Sequence, residues 1–212
     1  MGKITQGILG AFSGKVGSVV GASWKGIDYM RSVPNISTIP RTEAQNAQTS
    51  KMSLFRGFLL GIDDLVKRCF QNFSQYTEMN GALSYNMKYA VGGVFPDLVV
   101  NFPALIYSKG DLLSCWGPKA VSKNIGNVTV TWKNRTFSNM SAASDLINVV
   151  LYSTEEHQFH IFESIAIRSE KSVILTLPAV ESGHRLHCYL NFYSDSLKIS
   201  STNEYLGEVV IV

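Results

Sequence analysis

The spacing of apolar residues changes once along this 212-residue chain, and that change restricts the folds open to it. Between Met52 and Phe73 the apolar positions are Met52, Phe55, Phe58, Leu59, Ile62, Leu65, Val66, Cys69, Phe70 and Phe73. Steps of three and four dominate, the period of a helix with one buried face. Thr42, with Gln45 three residues on, reads as a capping box. The pattern predicts one amphipathic helix from Glu43 to Gln75, roughly 33 residues and ~50 Å long. From Asn127 onward the period is two. VTVTW (128–132), LINVVLYS (146–153), IFESIAIRS (161–169), VILTLP (173–178), HRLHCYLNFYS (184–194), LKISS (197–201) and YLGEVVIV (205–212) are short runs separated by turn residues. Such runs predict an antiparallel β-sandwich. LINVVLYS is apolar enough for a central strand, and IFESIAIRS slips its phase as at a bulge.

The rest of the chain is punctuated by glycine and proline. Seven of the 17 glycines fall within the first 26 residues. In that stretch SVVGASW and IDYMRSV are strand-like, and Lys25-Gly26 between them suits a two-residue turn. A β-hairpin from Ser18 to Val33 is expected. Glycines three to four apart also suit a backbone pressed close against something else. Asn80-Gly81 reads as a helix break and ALSYNMKYAV as a second, short helix ended by Gly92-Gly93. Pro96 and Pro103 punctuate a connector holding the strand-like runs LVVNF and ALIYS. The expected fold is α+β, with four parts. They are a Gly-rich basic hairpin arm and linker (1–41), a helical segment (42–93), a connector with short strands (94–126) and a β-sandwich (127–212).

Chemistry is hard to find in this sequence. A 45% hydrophobic content excludes a wholly disordered chain, and a net charge of +3 is modest for a nucleic-acid coat. No apolar run is long enough for a membrane-spanning helix. Gly7, Gly10, Gly14 and Lys15 interrupt the only apolar stretch that resembles a signal peptide, and Gln6 stands where myristoylation needs Ser or Thr. Synthesis in the cytoplasm is therefore expected, with the final location open, an assembled particle included. Cys69, Cys115 and Cys188 are too few and too far apart for a disulfide scaffold. His157/His160 and His184/His187 form two HxxH pairs. In a strand, residues three apart point to opposite faces, which argues against zinc at the second pair. Asp63-Asp64 and Glu155-Glu156 diverge as neighbours. GKVGSVVG lacks the four-residue gap of a phosphate loop, and no nucleophile elbow occurs. No catalytic residue, metal or cofactor is assigned.

Three resemblances can be drawn. Trp132, Leu177-Pro178 before Gly183, and Tyr189 resemble the pattern of a fibronectin type III (Ig-like) domain. That resemblance implies a core tryptophan, and a tyrosine turned back to the preceding leucine loop. The spacing from Gly183 to Tyr189 is longer than that family's. More broadly, FSGKVGSVVGASWKGIDYMRSVP, the TEAQ helix start, SYNMKYAVGG and STNEYLG resemble a family of uncharacterised Bacteroidota proteins of about this length, a resemblance that implies no activity. Gly-rich hairpins followed by a T-x-x-Q helix start also resemble proteins of suspected phage origin.

By elimination the sequence points to a non-enzymatic structural protein that assembles with copies of itself or other structural subunits. The first 41 residues carry Lys3, Lys15, Lys25, Arg31 and Arg41 against Asp28 alone. They also carry enough apolar side chains to form an interaction surface. The expected interface residues are Lys15, Val19, Trp24, Lys25, Tyr29 and Arg31 in the arm, with Gly57 and Gly61 as a site of close approach on the helix. The arm adds to a sheet, its own or a neighbour's; the neighbour is favoured. Nucleic acid is a weaker partner for the basic arm. The alternative function is a binding or adhesion module whose sandwich loops recognise a carbohydrate or a protein.

Overall fold

The computed structural model describes residues 2–4, 10–24, 26–36, 38–72, 76–177 and 183–212. Two compact units result, residues 1–42 and 43–212. Lys25, Phe73 to Gln75 and Pro178 lie outside the described residues.

The arm is more than a hairpin. Strands β1 (Lys3–Ile4), β2 (Phe12–Val16), β3 (Val19–Trp24) and β4 (Ile27–Ser32) form one antiparallel sheet in chain order. Trp24 pairs with Ile27, which leaves two residues for the β3–β4 turn, and Gly26 there has φ +79°. A Cβ on Gly21 would stand 2.0 Å from the Phe12 carbonyl oxygen, so β2 lies against β3 at a position only glycine allows.

The second unit begins with α1 (Glu43–Leu60) and α2 (Asp63–Cys69). The expected single helix is therefore interrupted at Gly61-Ile62. The Gly61 amide donates to Phe58 O and the Ile62 amide to Leu59 O, a tightened last turn. Ile62 leaves the helical region (φ −130°, ψ 28°), and Asp63 and Asp64 open the new helix, where carboxylates are favourable. The apolar stripe survives the break: Phe55, Phe58, Leu59, Ile62 and Val66 are all buried. Helix α3 (Glu78–Tyr89) starts earlier than expected, because Thr77 caps it by accepting from the Asn80 amide at 3.3 Å. Asn80-Gly81 is thus a first turn and not a break. Gly92 and Gly93 fall within β5 (Val91–Val94), which pairs with β6 (Asp97–Val100). ALIYS is not a strand. Its amides at Ile106, Tyr107 and Ser108 donate to the side-chain oxygens of Asn86 and Asn203 in place of a strand partner.

The remaining strands are β7 (Trp116–Asn124), β8 (Asn127–Lys133), β9 (Leu146–Ser153), β10 (Gln158–Ile167), β11 (Ser172–Thr176), β12 (Arg185–Ser194), β13 (Ile199–Ser200) and β14 (Glu204–Val210). They make two antiparallel sheets. One has the order β11-β8-β7; the other runs β10-β9-β12-β13, with β14 also paired to β12. Strand β7 falls in the stretch read as connector. The expected phase slip in β10 is a register shift between Phe162 and Ala166, where Ser164 has φ +52°.

β9 and β12 are buried on both faces, and alternation sends their side chains into two cores. Ile147, Val149, Leu151, Leu186, Cys188, Leu190 and Phe192 join Val128, Val130, Trp132 and Leu175 of the three-stranded sheet. Val150, Tyr152, Tyr189 and Tyr193 join the helical residues Phe55, Leu59, Ile62, Val66 and Ala82. Trp132 is buried as expected. Tyr189 is buried on the helical side, and its hydroxyl donates to Phe102 O at 2.9 Å. Residue 189 alternates to the face away from the Trp132 core, and residues 178–182 of the leucine loop named by the fibronectin resemblance lie outside the described residues.

Candidate functional site

The strand register of the arm sorts its side chains. Lys15 pairs with Val20 and Val20 with Arg31; Ala22 pairs with Tyr29, and Trp24 with Ile27. Paired residues share a face, so Lys15, Trp24, Tyr29 and Arg31 lie on one face together with Ile27. Val19 pairs with Ser32 and Val16 on the other face, where the arm's single carboxylate, Asp28, also lies. Of the expected arm residues, four are therefore brought together, Val19 is turned away, and Lys25 is outside the described residues. Every residue of β4 is exposed, with Ile27 at 66% and Tyr29 at 45%, and Trp24 of β3 is at 50%. Trp24, Ile27 and Tyr29 line a recess of about 270 Å³. The arm face thus offers aromatic and aliphatic area flanked by two cations.

Gly57 and Gly61 end in a different place. A Cβ on Gly57 would meet nothing within 4 Å, whereas one on Gly61 would stand 2.5 Å from Cδ2 of Phe159. The close approach at Gly61 is by an aromatic ring of the same chain. Both glycines line a groove of about 550 Å³ with Leu54 and Phe58 of α1, Leu98 to Val100 of β6, Phe102, Tyr152, His157 and Phe159. Its floor is aromatic. The Phe58 ring lies 4.7 Å from Tyr152 and 4.8 Å from Phe159, centroid to centroid, and Phe102 lies 5.5 Å from Tyr152. His187 stacks beneath Phe102 at 3.8 Å and shares a 2.9 Å hydrogen bond with the Tyr205 hydroxyl. Burial lowers the His187 pKa, so the ring is neutral at pH 7, and burial raises that of Tyr152. The Tyr152 hydroxyl and His157 Nδ1 are 3.3 Å apart at the rim. Such a groove can hold an apolar or aromatic group and offer it one polar pair.

The sequence marked only Gly57 and Gly61 of this groove, because its walls come from residues up to about a hundred positions apart. A tyrosine and a histidine five residues apart across a tight turn were a further local signal.

The remaining candidates for chemistry are dispersed. His184 lies 3.4 Å from Glu156, while His187 faces the helical core. Among the described residues no three His, Cys, Asp or Glu side chains gather as metal ligands. Cys69, Cys115 and Cys188 are free and buried; burial pushes Cys115 up to about 11 and Cys188 up to about 12. Thiols so placed are protonated at pH 7 and poor nucleophiles.

A sequence profile for DUF6266, a family of unknown function, matches residues 11–207. The chain belongs to that family. The matched span covers the residues of both the arm face and the aromatic groove. No curated protein gives a significant match to the chain. Among the described residues, no helix is long and apolar enough to cross a membrane.

Proposed function

We infer that this protein is a non-enzymatic structural subunit that assembles with copies of itself or packs into a larger particle through its N-terminal arm. The observation that carries this reading is the exposed β4 edge. Strand β4 ends its sheet, all six of its residues are exposed, and Ile27, Tyr29 and Met30 lie along it. Natural proteins protect such edges by charge, proline or a covering element, and an uncovered one is a template for another chain. The two sheets of the second unit, read as a fibronectin-like sandwich, would serve as the rigid body of the subunit. The phage-related reading rests on the resemblance of the Gly-rich hairpin with the T-x-x-Q helix start that follows it.

The test is removal of residues 1–42. The full chain should elute in light-scattering chromatography at a mass above 212 residues' worth, and the truncated chain as a folded monomer with its β signal in circular dichroism retained. A monomeric full chain, or a truncated chain that assembles as well as the full one, would overturn the reading. A second reading, a binding module, is favoured by the aromatic groove. It predicts a monomeric full chain whose ligand affinity falls in Phe58→Ala.

A further inference from the structure

Charge in the second half of the chain is not spread evenly. Residues 101–212 hold nine Lys and Arg against ten Asp and Glu. Yet the three-stranded sheet, β7, β8 and β11, contains Lys119, Lys123 and Lys133 and no carboxylate. Alternation gives the reason for its outward face. Val128, Val130 and Trp132 are buried in the core, which turns Thr129, Thr131 and Lys133 of β8 to solvent. Lys119 pairs with Thr131 and therefore shares that face. Lys133 stands two residues beyond Thr131, a diagonal neighbour of Lys119 at about 7 Å.

An indole stands at the end of this row. Trp116 is 57% exposed at the start of β7, paired with Lys133. The Arg135 guanidinium sits 5.3 Å from its ring centroid. Gly117 follows with φ +52°, and a Cβ there would meet nothing within 4 Å. The register shift between Trp116 and Lys119 lets the chain bend around this open position. The result is a groove of about 510 Å³ lined by Trp116, Gly117, Lys119, Thr131 and Lys133. The nearest acidic residues are already engaged: Asp111, five positions before Trp116, accepts from Asn72 Nδ2, and Glu170, two positions before β11, accepts from the Ile167 amide.

We propose that this face, with Trp116 as the platform and Lys119, Lys133 and Arg135 as the cations, binds single-stranded nucleic acid. The chemistry favours that occupant over others. A row of cations without carboxylates suits a repeating anion, and an exposed indole gives a flat base a stacking partner. A duplex hides the faces of its bases. A polyanionic sugar brings no planar aromatic base to the indole. Threonine hydroxyls between the lysines donate to phosphate oxygens without reading sequence. Binding through this sheet is separate from assembly through the arm.

The test is fluorescence anisotropy of the full chain with a labelled oligothymidylate of about twelve nucleotides, at low salt and over a salt series. Three phosphate contacts predict a slope of log K against log salt of about −2 for a single strand. Trp116→Ala should weaken binding by roughly tenfold or more, and Trp116→Phe should restore most of it. Lys119→Glu with Lys133→Glu should weaken binding more than tenfold and flatten the salt slope to about −1. The side chains changed are exposed, so unchanged circular dichroism is expected of each variant. Absence of binding at low salt overturns the proposal. So does binding that survives both sets of changes but is lost in Lys15→Glu with Arg31→Glu, which would place the nucleic acid on the arm. Equal affinity for duplex, or binding of heparin with none of the oligonucleotide, overturns it as well.

Discussion

Asp145 and Arg168 offer the sharpest test of how the β-sheet unit is held. Arg168 is fully buried, and its Nε donates to Asp145 Oδ2 at 2.9 Å. Its Nη2 donates to Leu113 O at 2.6 Å, its guanidinium carbon sits 3.8 Å from the Phe192 ring centroid, and Nη1 has no protein partner. Asp145 Oδ2 also accepts from the Ala142 amide at 2.9 Å. Burial lowers the Arg168 pKa, and the Asp145 carboxylate opposes that shift. Asp145→Ala would leave a buried guanidinium without its counter-charge and the Ala142 amide without its acceptor. Losing one partner of such a pair costs about 3–5 kcal/mol. Arg168→Met should cost a similar amount by stranding the carboxylate. The double variant strands neither charge, so it should cost less than the two singles added, by about 2 kcal/mol or more. Urea unfolding followed by circular dichroism at pH 7 measures this. With a slope of about 2 kcal/mol per molar, each single variant should move the midpoint down by about 2 M. An additive double variant, or a loss below about 1 kcal/mol in Asp145→Ala, would refute the assignment of a coupled buried pair. Because Arg168 also holds Leu113, three residues before Trp116, the single variants should loosen the start of β7.

Three further outcomes are expected. Trp132→Ala removes a buried indole that donates to Arg168 O at 3.0 Å and should cost about 3–5 kcal/mol; a loss under about 1 kcal/mol in chemical denaturation would put Trp132 outside the core. Gly61→Ala should destabilise by about 1–3 kcal/mol despite alanine's better helix propensity, because the new Cβ meets the Phe159 ring; a rise in melting temperature would contradict the packing described. The His187 pKa is lowered by burial, so the unfolded chain takes up a proton first as pH falls. Its contribution to stability is complete above the unfolded value of about 6.5 and is lost as pH drops from there toward the lower folded value. His187→Phe should flatten the stability profile across that interval, and an unchanged profile would show that His187 does not titrate on unfolding.

Local periodicity carried much of this fold. The 3–4 spacing of Phe55, Phe58, Leu59, Ile62 and Val66 is a property of neighbouring residues, and the face it marks is the buried one. The run from Leu146 to Ser153 is apolar at nearly every position, and it is the strand buried on both faces. The extra residue in β10 was visible as a break in alternation. These features depend on side-chain period, which the sequence states directly.

Other features depend on partners far away in the chain. Gly61 and Ile62 continue the helical pattern, but the ring that crowds Gly61 is Phe159, and no local rule brings the two together. ALIYS has the composition of a strand, yet Asn86 and Asn203 take its amides. Tyr189 occupies the right kind of strand for a fibronectin-like corner, but the strand has two buried faces, and the residue's parity puts it against the helices. The arm's cations and aromatics could be named from the sequence, whereas their sharing of one face follows from the β2–β3–β4 register. The basic face with Trp116 was invisible because net charge averages over sequence, and only the pairing of β7 with β8 gathers its cations. A sequence fixes which residues want burial and at what period. Which distant residue meets them is decided by register and by the layer on the other side, and those belong to the tertiary structure.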